Sequence, residues 1–486
     1  MVMPSQRWAA GSRPAHHPHV ILLVLCLSAF MASLDVFVVN VAFEDIGRDF
    51  GGARLSDLSW ILNAYTIIYA ALLVPAGRIA DRVGRKGTFM VGLGLFTAAS
   101  AACAATHGVW WLVAFRVVQS IGAALLTPSS LGLVIAASPA QHRVRSVRIW
   151  AASGAFAAAL GPVIGGLLVE ASWRWVFLVN LPVGIAALIA TALVVPLSRS
   201  EAVERLPDVL GTVLLIVAIG VLTLGLVQGT DWGWTNPRIY AAWVITLAAL
   251  GGFLLSSARH AAPVIDPALL RVRTFTWSNV TAVLFSVPFA ATLLANILWL
   301  QAVWHYSAIK TGFAIAPGPA MVPLFSMIAH RLAHRIPIGY LVAVGSLMYG
   351  IGSLYTTLTV TADPNYATSL LPSLLFGGAG VGLALPAILS SATADLPPAQ
   401  SATGGAIVNM SRQLGTALGV SMLVAIVGNP TTYDAAHSAF QHAWWTLAAV
   451  GVLAAAVAPA MTAKPQDAKS PISGAVPGAA MTGSPT

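Results

Sequence analysis

Asp35 is the one acidic side chain set well inside a long apolar run of this sequence, and Arg116 lies at similar depth in another. An ionisable group in hydrocarbon costs several kcal/mol, so it is by default a functional candidate and needs a partner or a water-filled path. With apolar runs at 20–41 and 110–137, the two lie about six and seven residues from one end. At 1.5 Å per residue that is roughly 9–10 Å deep, so they could face each other across a shared aqueous crevice. Desolvation favours the neutral acid, whereas a guanidinium favours the carboxylate. That opposition suits reversible protonation; a static ion pair is the plainer alternative. Gln119, Asn279, Asn296, Gln301 and Arg412 are candidates for a polar cavity lining. Helix-to-helix hydrogen bonds would equally explain the amides, and Arg412 could instead anchor a helix end. Trp304 and His305 are expected at the outer interface as belt residues.

The elements that must hold these groups are set by composition. Of 486 residues, 57% are hydrophobic and only 8% charged, against about 25% charged in a soluble domain. So few charges cannot clothe a water-soluble fold of this size. Lipid can be that surface. A hydrocarbon core about 30 Å thick needs about 20 apolar residues per helix. On that ruler the sequence predicts fourteen spans, at 20–41, 58–76, 89–106, 110–137, 148–169, 175–197, 208–228, 239–257, 275–300, 312–329, 337–360, 368–390, 404–427 and 440–461. The tenth is the weakest, interrupted by Pro317, Pro319 and Pro323. Such prolines are tolerated where neighbours satisfy the freed carbonyls. The first run follows Arg7 and Arg13, as a signal peptide would, but it is long enough to span and shows no convincing cleavage site.

The net charge of +9 does not point to nucleic acid, because the basic residues sit in short loops between spans. With the N-terminus inside, eighteen Lys and Arg fall on the cytoplasmic side, five outside, and Arg116 and Arg412 within or at the edge of spans. A one-helix error would scramble that partition. Both termini are expected in the cytoplasm: a segment over 1–19 and a Gly-, Pro- and Ser-rich disordered tail over 462–486.

A repeat organises the spans. "GRIADRV" from Gly77 is matched by "HRLAHRI" from His330, 253 residues on, and "GPVIG" from Gly161 by "GTALG" from Gly415, 254 on. Two short matches at one spacing imply two six-helix halves, 20–197 and 275–461, with an inserted pair at 208–257. Repeats of this kind place a substrate cavity at the midplane between them.

The loop "GRIADRVGRK", Gly77–Lys86, resembles the signature loop between helices two and three of the major facilitator superfamily. Gly77 and Gly84 would permit a tight turn, and Arg78, Arg82, Arg85 and Lys86 would anchor it to anionic lipid. Asp81 should pair across the gap between halves; the resemblance implies a latch that holds an outward-facing state. His334 replaces that acid in the second half, which should weaken its latch.

"LDVFVVNVAF" from Leu34 resembles the first-helix motif of fourteen-helix drug:proton antiporters of the EmrB/QacA type, and "RVVQSIGAA" from Arg116 their fourth-helix motif tied to proton coupling. "GAFAAALGPVIGG", with Gly154, Gly161, Pro162, Gly165 and Gly166, is similar to the antiporter signature of exporting members. "WRWVFLVNLPVG", "LWLQAVWHYSA" and "SRQLGTALG" are also family-like. The glycines would let helices approach closely and Pro162 would add a kink point.

The resemblance implies an all-α membrane protein: two six-helix bundles, two inserted helices, and alternating access in a bacterial-type cytoplasmic membrane. Protons and small-molecule, lipophilic or cationic compounds would be its ligands, with no nucleic acid. A metabolite carrier on the same fold and a non-transporting receptor are the rivals. No P-loop pattern points to ATP, and no ligand spacing points to a metal. Cys26 and Cys103 read as inert packing thiols. No enzyme activity and no cofactor are expected.

Overall fold

The computed structural model describes residues 18–196, 207–397 and 400–462. Arg7, Arg13, His16, His17, Arg199, Arg205 and the expected tail beyond 462 lie outside the described residues. Fourteen helices are long and apolar enough to cross a membrane, matching the expected number. We label them α1 Pro18–Val41, α2 Leu55–Val83, α3 Arg85–Ala104, α4 Val109–Ala137, α5 Arg145–Ala171, α6 Trp175–Val194, α7 Val209–Val227, α8 Pro237–Arg259, α9 Arg273–Val303, α10 Ala308–Leu332, α11 Ile338–Thr359, α12 Tyr366–Ala394, α13 Ser401–Val427 and α14 Tyr433–Met461. The tenth span divides into Ala308–Ile315 and Pro317–Leu332 at its proline cluster, where ring nitrogens cannot donate to the helix ladder.

Helices α1–α6 form one bundle and α9–α14 the other, and the two meet along two seams, α2 with α13 and α5 with α10. The inserted pair packs on itself, and α7 covers the outside of the α2–α13 seam. Asp208 starts α7: its carboxylate accepts from the Gly211 amide at 2.7 Å and from the Ser256 hydroxyl of α8 at 2.8 and 2.9 Å. These bonds satisfy a buried helix start that would otherwise carry orphan donors.

Gly161 and Gly415, the residues related by the 254-residue offset, both stand at close helix contacts. Gly161 brings α5 onto α1, where an added Cβ would lie 2.5 Å from the Phe37 Cβ. Its counterpart Gly415 brings α13 onto α9, where a Cβ would lie 2.4 Å from the Val283 carbonyl oxygen. A Cβ at either place would force the facing helix to shift.

The ends of the bundles differ. At the end bearing the α2–α3 loop the halves part around a cavity. At the other end one apolar core is shared by both, including Val38, Phe43, Phe177, Leu294, Trp299 and Trp444. Trp299 sits in an aromatic cluster, its ring 5.4 Å from those of Phe440 and Trp444. Two hydrogen bonds tie the halves there, from the Gln301 amide to the Val41 carbonyl at 3.0 Å and from the Leu55 amide to Asn429 Oδ1 at 3.2 Å.

Candidate functional site

Between the bundles lies a cavity of about 1630 Å³. Its walls are mainly apolar and aromatic, with Phe37, Tyr65, Tyr69, Trp150, Phe289 and Tyr349 among the lining residues. Such a volume is larger than most small-molecule pockets and suits bulky ligands. Asp81, Arg85, His330 and Arg331 line it toward the open end, and Arg412 and Asn296 lie deeper.

Asp35 and Arg116 meet, as their depths suggested. Arg116 Nη1 donates to Asp35 Oδ2, and both residues are 1% exposed. The other carboxylate oxygen accepts from Gln119 Nε2 at 2.9 Å and Asn180 Nδ2 at 3.0 Å. Ser100 Oγ accepts from Gln119 Nε2 at 2.8 Å, and Arg116 Nε donates to the Ile61 carbonyl at 3.2 Å. Each charge is therefore paired and hydrogen-bonded, the condition for burying it at all.

The expected shared crevice is corrected by this geometry. The pair lies inside the first bundle, and neither member lines the cavity. Tyr65 stands between, with its ring lining the cavity and its centre 4.1 Å from the Arg116 guanidinium. Gln119 serves the ion pair rather than the cavity. Asn279 is likewise off the cavity, accepting from the Ser411 hydroxyl at 2.8 Å, and Gln301 belongs to the closed end. Trp304, expected in an interfacial belt, is buried and donates to the Thr361 carbonyl. Asn180, Ser100 and Tyr65 carry much of the site and were not singled out. Asn180 had a signal, an amide inside the apolar stretch after Trp175; Tyr65 had none.

The latch loop also departs from expectation. Gly77 is helical within α2, and the turn is made at Gly84, whose φ of 125° is open to glycine at little cost. Asp81 does not reach the other half: it accepts from Arg85 Nε at 2.7 Å, while Arg85 Nη1 donates to the Gly132 carbonyl. Among the described residues no ion pair joins Asp81 to the other half.

The α5 motif lies on two helices at once. Gly161 and Gly165 face α1, whereas Gly166 faces the backbone of α10, where an added Cβ would sit 2.5 Å from the Ala308 carbonyl oxygen. The contact is reciprocal, since a Cβ on Gly312 would lie 2.3 Å from the Pro162 carbonyl oxygen. Gly154 approaches Ser33 of α1.

The family model described as Major Facilitator Superfamily matches residues 25–420, across both bundles. This chain belongs to that superfamily. Among curated relatives, this superfamily member is 33% identical over 418 residues to a methylenomycin A resistance protein of Bacillus subtilis, covering 85% of this chain and 89% of that one. It is 32% identical over 419 residues to a tetracenomycin C resistance and export protein of Streptomyces glaucescens, covering 85% and 76%. A multidrug resistance protein of Mycobacterium tuberculosis is 31% identical over 411 residues, covering 84% and 75%. In solved structures the fold recurs in a peptide transporter bound to sulfate (TM-score 0.66, 18% identity, 94% of this chain and 96% of that one). It recurs too in the inward-open xylose transporter XylE of E. coli, with TM-score 0.63, 14% identity, and 91% and 96% covered. The superfamily member is thus a multi-pass membrane protein of a family of small-molecule transporters.

Proposed function

We propose that this chain is a proton-coupled exporter of small, lipophilic, drug-like compounds that works by alternating access. The observation that carries this reading is a large cavity between the bundles, open at one end, beside a carboxylate–guanidinium pair buried inside the first bundle. The functions named for its relatives, resistance and export, point the same way. The basic loops argue for cytoplasmic termini and place the open end inside. The described state is then inward-facing, with the α5–α10 glycine contacts closing the outer end and the Asp81 latch disengaged.

In the cycle we envisage, opening of the outer end hydrates Asp35, which lies six residues from that end of α1. Protonation releases its hold on Arg116, Gln119 and Asn180 as substrate leaves; the protonated carrier resets inward and loses the proton. One entering proton supplies about 2.3 kcal/mol per 100 mV and roughly 1.4 kcal/mol per pH unit. That supports a gradient on the order of a hundredfold for a neutral substrate. Gradient and charge pair are the machinery; no bound cofactor enters the scheme.

Reconstitution tests it. Proteoliposomes with an imposed pH gradient should show substrate-evoked proton flux, with substrates found by comparing drug, dye and antibiotic susceptibility of cells with and without the gene. Proton flux that no resisted compound can evoke would sink the proposal.

A further inference from the structure

The deep charge of the cavity is basic. Arg412 lies about midway along α13, eleven residues from Ser401 and fifteen from Val427, and lines the cavity. Its guanidinium has one hydrogen-bond partner, Asn409 Oδ1 at 3.0 Å on the same helix, and its buried Nε has none. Among the described residues no carboxylate forms an ion pair with it. Across the seam on α2, Tyr69 lines the same cavity. The Tyr69 hydroxyl is bonded to Thr127 and its ring stacks on Tyr65 at 5.9 Å.

The acids of the lining, Asp81 and Asp266, lie toward the mouth, and both have local partners: Arg85 for the first, the Ala268 amide for the second. Asp35, the acid that would favour a cationic ligand, is behind Tyr65 and already neutralised by Arg116. A ligand at the midplane therefore meets aromatic walls and one uncompensated guanidinium. A cation there would be repelled. A carboxylate would gain a charge-assisted, bidentate partner and cancel a charge that is costly to keep at that depth.

From this arrangement we infer that Arg412 is the anion-recognition residue of the cavity, and that the exported compounds are amphipathic acids: an aromatic or alicyclic body bearing a carboxylate or similar anionic group. The inference rests on the exporter reading for its biological sense, but the binding site itself does not depend on proton coupling. Because Arg412 lies on one bundle and Tyr69 on the other, an anion held between them would also link the two halves. Export of an anion would be assisted by the interior-negative potential, in the same direction as proton entry.

The test is equilibrium binding without any gradient. Purified full-length protein would be titrated with benzoate, 2-naphthoate and anthracene-9-carboxylate, each beside its methyl ester, following thermal stabilisation and tryptophan fluorescence. At least one acid should bind wild type about tenfold or more tighter than its ester. Arg412→Gln should erase that preference, Arg412→Lys should keep part of it, and Arg238→Gln, at the start of α8 in the inserted pair, should leave it intact. Equal binding of acid and ester, binding of none of the acids, or preference surviving in Arg412→Gln would each overturn the assignment. Repeating the titration in nanodiscs of phosphatidylcholine alone and with phosphatidylglycerol separates a soluble acid from a lipid headgroup. Loss of acid binding only with phosphatidylglycerol would give the site to lipid and also overturn it. Failure of gradient-driven flux with this binding preserved would count against the exporter reading alone.

Discussion

The Arg116 guanidinium lies 4.1 Å from the centre of the Tyr65 ring, so a single aromatic side chain separates the buried ion pair from the central cavity. Tyr65 stacks in turn on Tyr69, which borders the cavity near Arg412. In the proposed cycle this short aromatic stack would lie between a ligand in the cavity and a proton on Asp35.

If the stack is the seal, its bulk rather than its hydroxyl should matter. Tyr65→Ala should raise passive proton leak through proteoliposomes, read with an internal pH dye, and loosen Arg116 by the loss of a cation–π contact worth about 1–2 kcal/mol. Tyr65→Phe should leak no more than wild type. Equal leak in all three would remove the seal.

Neutralising the carboxylate should stop coupling. Asp35→Asn should abolish gradient-driven export while the protein is still made, and should lower Tm, since it strands a buried guanidinium at a cost of about 3–5 kcal/mol. Adding Arg116→Gln should restore most of the Tm but none of the transport, because a pair removed together leaves no lone charge. An unimpaired export rate in Asp35→Asn would take Asp35 out of the mechanism.

The closed end depends on backbone contact at Gly166. Gly166→Val should cost about 1–3 kcal/mol by overpacking and push α5 from α10. Spin labels on Ala171 and Lys310 should then report a longer, broader distance distribution than in wild type. An unchanged distribution would show that the contact does not hold that end shut.

A fourth expectation concerns pH at the same end. Asp49, in the link between α1 and α2, accepts from Trp173 Nε1 at 3.0 Å and pairs with Arg174 at 3.0 Å. The Trp173 hydrogen bond first, and then Arg174, hold its carboxyl below the usual range. A depressed carboxyl contributes stability that is present above its unfolded value, about 3.9, and is lost as pH falls through the folded one. Asp49→Asn should therefore lower Tm slightly at pH 7, and the difference should shrink as pH falls through the depressed value of the folded carboxyl. A difference that persists in acid would assign the effect to shape rather than charge.

The sequence by itself determined the fourteen spans and the break in the tenth, and it marked glycines such as Gly161 as points of close helix approach and Asp35 and Arg116 as ionisable groups at equal depth. Each follows from a local rule: bilayer thickness sets span length, proline lacks a donor, glycine permits contact, and an ion at depth needs its counter-ion. The tertiary structure alone decided which face of each helix looks into the cavity. A membrane helix is apolar nearly all round, because lipid and protein interior both exclude charge, so no periodicity marks its inner face. That is why Gln119, Asn279 and Gln301 read as cavity groups and prove to be internal ties, and why Tyr65 carried no mark at all. It is also why Arg412 and Asp35, both deep and ionisable, have opposite fates: Asp35 is closed inside a bundle with its charge paired, whereas Arg412 lines the cavity with Asn409 as its hydrogen-bond partner.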